Sequence, residues 1–235
     1  MDCKFFLYSA TEPVIEASRG LTVGCYAHSY FGIASQFESA KLDCWNNKWS
    51  EVFDFTPPEG CGNKTSTNWK PMAMSAVNGE AAKAESGAAV PVSRGAAASA
   101  FAGGGAGSAL LFACGPGANR AAILSRYLKW AEAANNKDRA ALVRSRVMAM
   151  DSAQAAAAFK GVADRKAAAA LCGSLGKGGG VVLVVEFNVE EGEGEAGEEL
   201  KRIVREGAEE SVWTAEGEEA EEPCRYLFSF FKEEQ

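Results

Sequence analysis

Hydrophobic positions in residues 108–235 alternate between the period of a strand and the period of a helix. Apolar runs at 108–114, 142–150 and 178–188 predict strands, and the last is the strongest because its β-branched residues follow three glycines. Three- and four-residue spacing of Ile123, Leu124, Tyr127 and Leu128 predicts a helix, and the Ala-rich stretch 152–172 predicts another.

Two further segments complete the pattern of the second half. Residues 198–208 predict a short amphipathic helix closed by Gly207, and 224–231 predict a last strand. The acidic stretches 190–199 and 216–222 are interpreted as solvated loops. The resulting β-α-β-α-β-α-β order is typical of a ferredoxin-like α/β sandwich.

The first 72 residues lack a helical period over most of their length. Short extended segments at 4–10, 13–18 and 21–30 are separated by turn residues, and one amphipathic helix is predicted at 32–42. Cys3, Cys25 and Cys44 lie about 20 residues apart, close to one coil of a parallel β-helix. Three positions make a weak repeat, and a coincidental spacing is the alternative explanation.

Composition divides the chain into three parts. Residues 1–72 are mixed and aromatic, 73–107 are dominated by Ala, Gly and Ser, and 108–235 carry the α/β pattern. The middle part has the composition of a flexible linker, although 90–95 could pack as a short extended segment.

Charge and rare residues exclude several classes of function. The net charge of −7 argues against nucleic-acid binding and against nonspecific binding to an anionic membrane. Seven cysteines without a C-x-x-C spacing, beside the single His28, predict reduced thiols and neither a metal site nor a cofactor. The N-terminal sequence does not resemble a signal peptide, and a cytoplasmic protein is expected.

Candidate chemistry from the residues alone indicates no enzyme. Gly115–Arg120 could cradle an anion, but an ordinary β-to-α turn is favoured, and 173–180 fails the spacing of a Walker A loop. His28 is interpreted as structural because no nucleophile and orienting acid accompany it. Glu12 and Glu16 could do acid–base work, but a solvated pair is the default.

Residues 46–57, with the sequence NNKWSEVFDFTP, contain several aromatic residues among polar ones. Together with four other segments, this stretch closely resembles the tubulin cofactor C domain family. These four segments are Thr11–Glu16, Gln36–Ala40, Asn68–Trp69 and 90–95. A looser match continues into the second half, clearest at 178–188. The resemblance thus covers most of the chain outside the Ala/Gly-rich part.

The resemblance implies a fold and a function. The fold would be part of a right-handed parallel β-helix followed by an α/β domain like nucleoside diphosphate kinase. The function would be that of a GTPase-activating protein for an Arf-like small GTPase in the ciliary trafficking of lipidated cargo, acting through an arginine finger. The alternative is a noncatalytic interaction module for a small GTPase, or for tubulin folding and ciliary assembly, with tubulin as a possible partner.

By matching position, the resemblance implies a partner-binding site. Glu16 would contact the GTPase or orient the arginine, and Phe55 would be an exposed anchor, while Trp49 and Phe53 pack inward. Asp54, Asn46 and Asn47 are the other candidate partner-binding residues. For the two asparagines a turn role is favoured over hydrogen bonds across the interface.

The sequence also departs from the family pattern. No residue matches the catalytic arginine, and Arg19 lies on a later turn, so an N-terminally truncated activator is expected. The Gly-Cys acylation signal is not matched either, so membrane association would need a missing signal. Residues 108–235 contain no histidine, so nucleoside diphosphate kinase activity is not expected. The expected location is the cytoplasm, at the cilium, the basal body or the membrane periphery.

Overall fold

A computed structural model describes residues 3–81, 90–102, 107–133, 139–176, 178–208 and 212–229. The chain divides into two compact units, Met1–Ala97 and Ala98–Gln235. The fold is mixed α/β, with parallel sheets in the first unit and an antiparallel sheet in the second. Within the described residues, no helix has both the length and the apolar character needed to cross a membrane.

Parallel strands dominate the first unit. Strands β1, β3 and β5 form one sheet in that order, and β2 pairs with β4. The strands are β1 (Cys3–Leu7), β2 (Val14–Ile15), β3 (Leu21–Cys25), β4 (Phe53–Asp54) and β5 (Trp69–Pro71). The helices are α1 (Ile33–Ser39) and α2 (Met74–Ala81).

The register of β1 and β3 corrects the predicted cysteine repeat. Cys3 lies beside Leu21, and Leu7 lies beside Cys25, so the two strands are offset by 18 residues. Cys3 and Cys25 therefore do not lie beside each other in the sheet, and Cys44 lies outside it, between α1 and β4.

Helix α2 packs closely on β3, and a glycine makes this approach possible. A Cβ atom on Gly24 would lie 3.1 Å from Met72 Cβ and 3.2 Å from Val77 Cγ2. Both of these side chains are buried in the core of the unit, together with Cys25 and Trp49. A side chain at position 24 would push α2 away from the sheet.

The described parts of the predicted linker 73–107 are packed rather than extended. Helix α2 buries Val77 completely, Val90 is 3% exposed, and the indole Nε1 of Trp49 donates to Ser93 Oγ at 2.9 Å. Short 3₁₀ turns follow at Ala96–Ala98 and Ala100–Ala102. The parts of the prediction that fall on 82–89 and 103–106 lie outside the described residues.

The second unit is a four-stranded sheet with helices. Its strands follow the order β7-β8-β6-β9, and every neighbouring pair is antiparallel. They are β6 (Ser108–Cys114), β7 (Ala140–Met150), β8 (Gly180–Val189) and β9 (Val212–Glu216). The helices are α3 (Arg120–Glu132), α4 (Ser152–Ala158), α5 (Arg165–Leu175), α6 (Gly194–Ala208) and α7 (Glu221–Ser229), with a 3₁₀ turn at Gly217–Ala220.

The strand order identifies the topology of this sheet. Strands β6 and β7 run parallel to each other with β8 inserted between them, which is the split βαβ arrangement. One face buries a core that includes Leu171, Val184 and Leu227. On the other face Tyr127 of α3 lies 5.4 Å from the ring of Phe187.

Helix α7 replaces the predicted last strand over residues 224–229, and residues 230 and 231 of that prediction lie outside the described residues. Cys224, Leu227 and Phe228 are buried at the three- and four-residue spacing of one helix face. The last strand is instead β9, which bears the buried Trp213 and Ala215 two residues apart.

The two predicted acidic loops are also corrected. Helix α6 begins at Gly194, inside the stretch 190–199, and it ends one residue after Gly207. The stretch 216–222 contains a 3₁₀ turn and the start of α7. The predicted helix 152–172 is two helices, α4 and α5, which Gly161 at φ +88° separates.

Candidate functional site

Strands β2 and β4 bring together residues that are 39 positions apart in the sequence. Val14 pairs with Phe53 and Ile15 pairs with Asp54. The N–H of Phe53 donates to Pro13 O at 2.8 Å, and the N–H of Phe55 donates to Ile15 O at 2.9 Å. Continuing this parallel register by one residue places Glu16 beside Phe55.

Alternation along the two strands separates an outer from an inner face. Val14, Glu16, Phe53 and Phe55 lie on the outer face, which we call the ladder surface. Val14 is 58% exposed, Phe55 is 60% exposed, and Glu16 is also exposed. Phe53 was predicted to pack inward, but strand alternation places it on the outer face, where it is half-buried and its ring makes an edge contact 5.1 Å from that of Phe55. The ladder surface is therefore an apolar patch with one carboxylate.

The charged neighbours of this surface in the sequence have different environments. Glu12 accepts hydrogen bonds from Lys64 Nζ at 2.7 and 2.9 Å, in an exposed ion pair. Arg19 is exposed on the turn before β3. Because Glu12 is bound to Lys64, the geometry does not support its use with Glu16 as an acid–base pair.

Asp54 does not lie on the ladder surface, which corrects its predicted role as a residue that contacts a partner. Its side chain is fully buried on the inner face and accepts hydrogen bonds from Ser66 Oγ and Asn68 Nδ2, both at 2.7 Å. Burial opposes ionisation of this carboxyl, but the hydrogen bonds from Ser66, Thr56 and Asn68 outweigh it and lower the pKa of Asp54. A buried carboxylate satisfied in this way cannot contact a partner directly.

The side chain of Asn47 stabilises the turn before β4 through hydrogen bonds to other residues of the first unit. Its Oδ1 accepts from the N–H groups of Ser9 at 3.0 Å and Trp49 at 3.3 Å. Its Nδ2 donates to Cys25 Sγ at 3.5 Å. These contacts agree with the turn role. Asn46 is half-buried in the same turn, and its N–H donates to Asp43 O at 2.8 Å.

The loop Gly115–Arg120 is an ordinary turn into α3. The N–H groups of Ala118, Asn119 and Arg120 donate to carbonyls of Gly115, Gly207 and Ala118. The Asn119 side chain caps the helix by accepting from Ala122 N at 3.0 Å. With these N–H groups engaged, the loop offers a poor cradle for an anion.

The remaining candidates are His28, which has a packing role, and a metal site. The imidazole of His28 lies in edge contacts with Phe6 and Tyr26, at 5.4 and 5.7 Å between ring centres. Across the part of the chain that the structure describes, no group of three His, Cys, Asp or Glu side chains is arranged to hold a metal ion.

Sequence reasoning missed the polar residues beneath the ladder surface. Ser66 and Asn68 lie 12 and 14 residues after Asp54, and Thr56 Oγ1 accepts from Ala17 N at 2.7 Å. The sequence analysis also did not predict that Val14 lies on the ladder surface. The available signal was strand alternation, because Val14 and Glu16 share one face of a short strand, as do Phe53 and Phe55.

Comparison with known proteins finds a family to which part of the first unit is similar. Residues 1–55, which include β1 to β4 and Phe55, match the family model described as Tubulin binding cofactor C. These residues are therefore similar to the tubulin binding cofactor C family.

The individual relatives that it resembles are XRP2 proteins. The chain is 42% identical over 79 residues to Protein XRP2 of Danio rerio, a match that covers 32% of this chain and 20% of that protein. It is 45% identical over 65 residues to the Gallus gallus protein and 44% identical over 62 residues to the Homo sapiens protein. These two matches cover 26% and 25% of this chain, and 18% of each relative. The matches span about a fifth of the length of these curated relatives, and the predicted family resemblance of residues 108–235 stays a prediction.

Proposed function

We propose that this protein binds a small GTPase through the ladder surface, in a GTPase-activating or tubulin-cofactor-C-like role. The observation that carries the proposal is the parallel pairing of β2 with β4, which sets the exposed Phe55 beside the exposed Glu16. The family match, which includes both residues, supports this role.

Phe55 would be the main apolar anchor of such a contact. An exposed phenylalanine that enters a partner's apolar pocket gains about 1.5–3 kcal/mol from burial. Aromatic anchors of this kind are the usual centres of protein–protein interfaces. Glu16 would add specificity by pairing with a basic group of the partner or by orienting a catalytic arginine.

Activation of GTP hydrolysis requires a guanidinium beside the transferring phosphoryl group. The four residues of the ladder surface include no arginine, so such a group would have to come from another part of the full protein or from the GTPase. This observation favours a second candidate function, that of a module that binds the GTPase without activating it.

The finer predictions extend the same proposal. An Arf-like GTPase as the partner, tubulin as a further partner, and a site of action in the cytoplasm at the cilium or basal body follow from the family resemblance. The parallel ladders of the first unit support a β-helix, because each return of the chain pairs in parallel with an earlier strand. The four-stranded antiparallel sheet supports the proposed likeness of the second unit to nucleoside diphosphate kinase.

Binding and single-turnover hydrolysis measured on one preparation test the proposal. The full chain is titrated against an Arf-like GTPase loaded with GDP or with a nonhydrolysable GTP analogue, and GTP hydrolysis is then followed with the chain in excess. Tighter binding to the GTP form with faster hydrolysis supports an activator, and the same binding at the unaided rate supports the module. Equal or absent binding to the two forms overturns both.

Matched variants locate the contact. Phe55→Ala is expected to weaken binding by about thirtyfold, the effect of losing about 2 kcal/mol. Glu16→Gln is expected to weaken it less. Phe31→Ala is the control, because Phe31 is 97% exposed in the same unit but is not part of the β2–β4 pair. An equal loss in the Phe31 variant would show that the ladder surface is not the contact.

A further inference from the structure

We infer that Asp54 is a positioning residue that fixes Glu16 and Phe55 in a single arrangement through Thr56. The consequence for binding rests on the proposed function, whereas the positioning itself depends only on the contacts of the first unit. Asp54 lies directly before Phe55 and faces the opposite side of the strand, so it can act on the contact surface without touching a partner.

The carboxylate of Asp54 gathers donors from three places in the sequence. Its Oδ1 accepts from the N–H of Thr56 at 2.8 Å and from Thr56 Oγ1 at 3.3 Å. Its Oδ2 accepts from Ser66 Oγ and Asn68 Nδ2, both at 2.7 Å. Both oxygens are therefore engaged, and the residue after Phe55 is bound through its main chain and its side chain.

Thr56 passes this constraint across to the neighbouring strand. Its hydroxyl donates to Asp54 and accepts from the N–H of Ala17 at 2.7 Å. Ala17 directly follows Glu16 and has φ +48°, a left-handed conformation that alanine adopts only when the surroundings impose it. The Thr56 hydroxyl is thus the link that holds the turn after Glu16 in register with Phe55.

Side chains also fix the peptide groups on both sides of Phe55. Asn63 Nδ2 donates to Asp54 O at 2.8 Å, and Asn68 Nδ2 donates to Thr56 O at 3.0 Å. The backbone that presents the Phe55 ring is therefore bound before and after that residue. Ordering this segment in advance lowers the entropy lost when a partner docks on it.

Replacement of Asp54 by asparagine isolates the role of the second carboxylate oxygen. Asparagine keeps the shape of the side chain but turns one of its two acceptors into an NH₂ donor. In the place of Oδ2 the NH₂ faces the NH₂ group of Asn68, and in the place of Oδ1 it faces the main-chain N–H of Thr56, so in either orientation one N–H donor loses its acceptor. One arm of the network is lost with almost no change in volume.

Amide hydrogen exchange of the intact chain, resolved by NMR, tests the positioning directly. In Asp54→Asn we expect the amides of Ala17 and Phe55 to exchange at least tenfold faster, while the amides of β3 keep their rates. Asp43→Asn is the matched control, because Asp43 Oδ1 makes a similar local bond to the N–H of Trp45 at 3.1 Å. Unchanged exchange at Ala17 and Phe55, or equal acceleration throughout the first unit, would overturn the inference.

A second pair of variants separates the hydroxyl of Thr56 from its size. Thr56→Val keeps the volume but removes the hydroxyl, and is expected to speed exchange at Ala17 by at least tenfold. Thr56→Ser keeps the hydroxyl and is expected to restore protection at Ala17. Equal exchange in the two variants would contradict the link.

Binding to the GTPase then decides whether the positioning matters for the contact. Asp54→Asn should weaken binding by at least fivefold and Asp43→Asn by less than twofold. Loosened amides with unchanged affinity would overturn the role of Asp54 in binding. If the unmodified chain binds no GTPase, the proposed function fails, and the exchange experiments still decide whether Asp54 positions the surface.

Discussion

Removing the Arg144 guanidinium while Glu186 remains is expected to destabilise the second unit by about 3–5 kcal/mol, because a buried charge loses its partner. The two residues face each other on β7 and β8, with Arg144 Nε 2.6 Å from Glu186 Oε2. The Glu186 side chain is fully buried, and the Arg144 side chain is 21% exposed. The carboxylate therefore depends on the protein rather than on water for its stabilisation.

The size of the loss follows from the other contacts of the two residues. When the guanidinium is removed, Glu186 still accepts hydrogen bonds from Ser99 Oγ at 2.5 Å and from Cys224 Sγ at 3.2 Å. Both of these donors are neutral and do not balance its charge. Arg144→Met preserves an apolar contact with Phe228, whose ring centre lies 4.0 Å from the Arg144 Cζ. Lost packing is thus small in this variant, and the uncompensated charge dominates.

The double variant Arg144→Met/Glu186→Leu removes both charges together. Replacing a buried ion pair by apolar residues of similar volume is often close to neutral. The hydroxyl of Ser99 loses its acceptor, at a cost of about 1–3 kcal/mol. The double variant should therefore be more stable than Arg144→Met alone.

The assay is the urea dependence of amide hydrogen exchange in β8, which reports unfolding of the second unit separately from the first. Arg126→Met is the control, since Arg126 and Glu206 form an exposed pair at 3.8 Å and should contribute less than about 1 kcal/mol. A loss below 1 kcal/mol for Arg144→Met, or a double variant less stable than it, would refute the reasoning.

Two further predictions concern the first unit. Gly95→Ala should lower the melting temperature well below that of Gly60→Ala: both glycines have a positive φ, but only at Gly95 would the new Cβ lie 2.8 Å from Trp49 Cζ2. Equal melting temperatures would show that 90–95 is not packed. Burial raises the pKa of Cys25 to about 11, whereas a thiol in the unfolded chain titrates near 8.5. The stabilisation from the buried, protonated thiol is therefore complete below about pH 8.5 and is lost as the pH rises toward 11. Calorimetry between pH 7 and 10 should show a smaller decline for Cys25→Val than for the unmodified chain, and parallel declines would contradict this.

Long periodic or strongly apolar segments could be predicted from the sequence. The run behind Gly178 became β8, the spacing from Ile123 to Leu128 became α3, and the division between an exposed Phe55 and a buried Trp49 agrees with the structure. In each of these segments the local pattern and the tertiary environment agree.

Where the prediction failed, local composition concealed the tertiary contact. The aromatic residues after Cys224 resemble a strand, but burial at three- and four-residue spacing makes the segment a helix. The Ala-rich middle part has linker composition, yet the buried Val77 and Val90 anchor it. Asp54 resembled a surface residue because nothing near it in the sequence shows that Ser66 and Asn68 return to bind its carboxylate.

The pairing of β2 with β4 makes residues 17–52 an excursion of the chain that leaves the β2–β4 pair and returns to it at the adjoining strand. The exposed Ser39, at the end of α1, and the exposed Lys41 just after it lie within this excursion and outside the β2–β4 pair. A dye or short tag attached there would leave the β2–β4 register intact. Docking events could then be followed by fluorescence without altering the residues that make them.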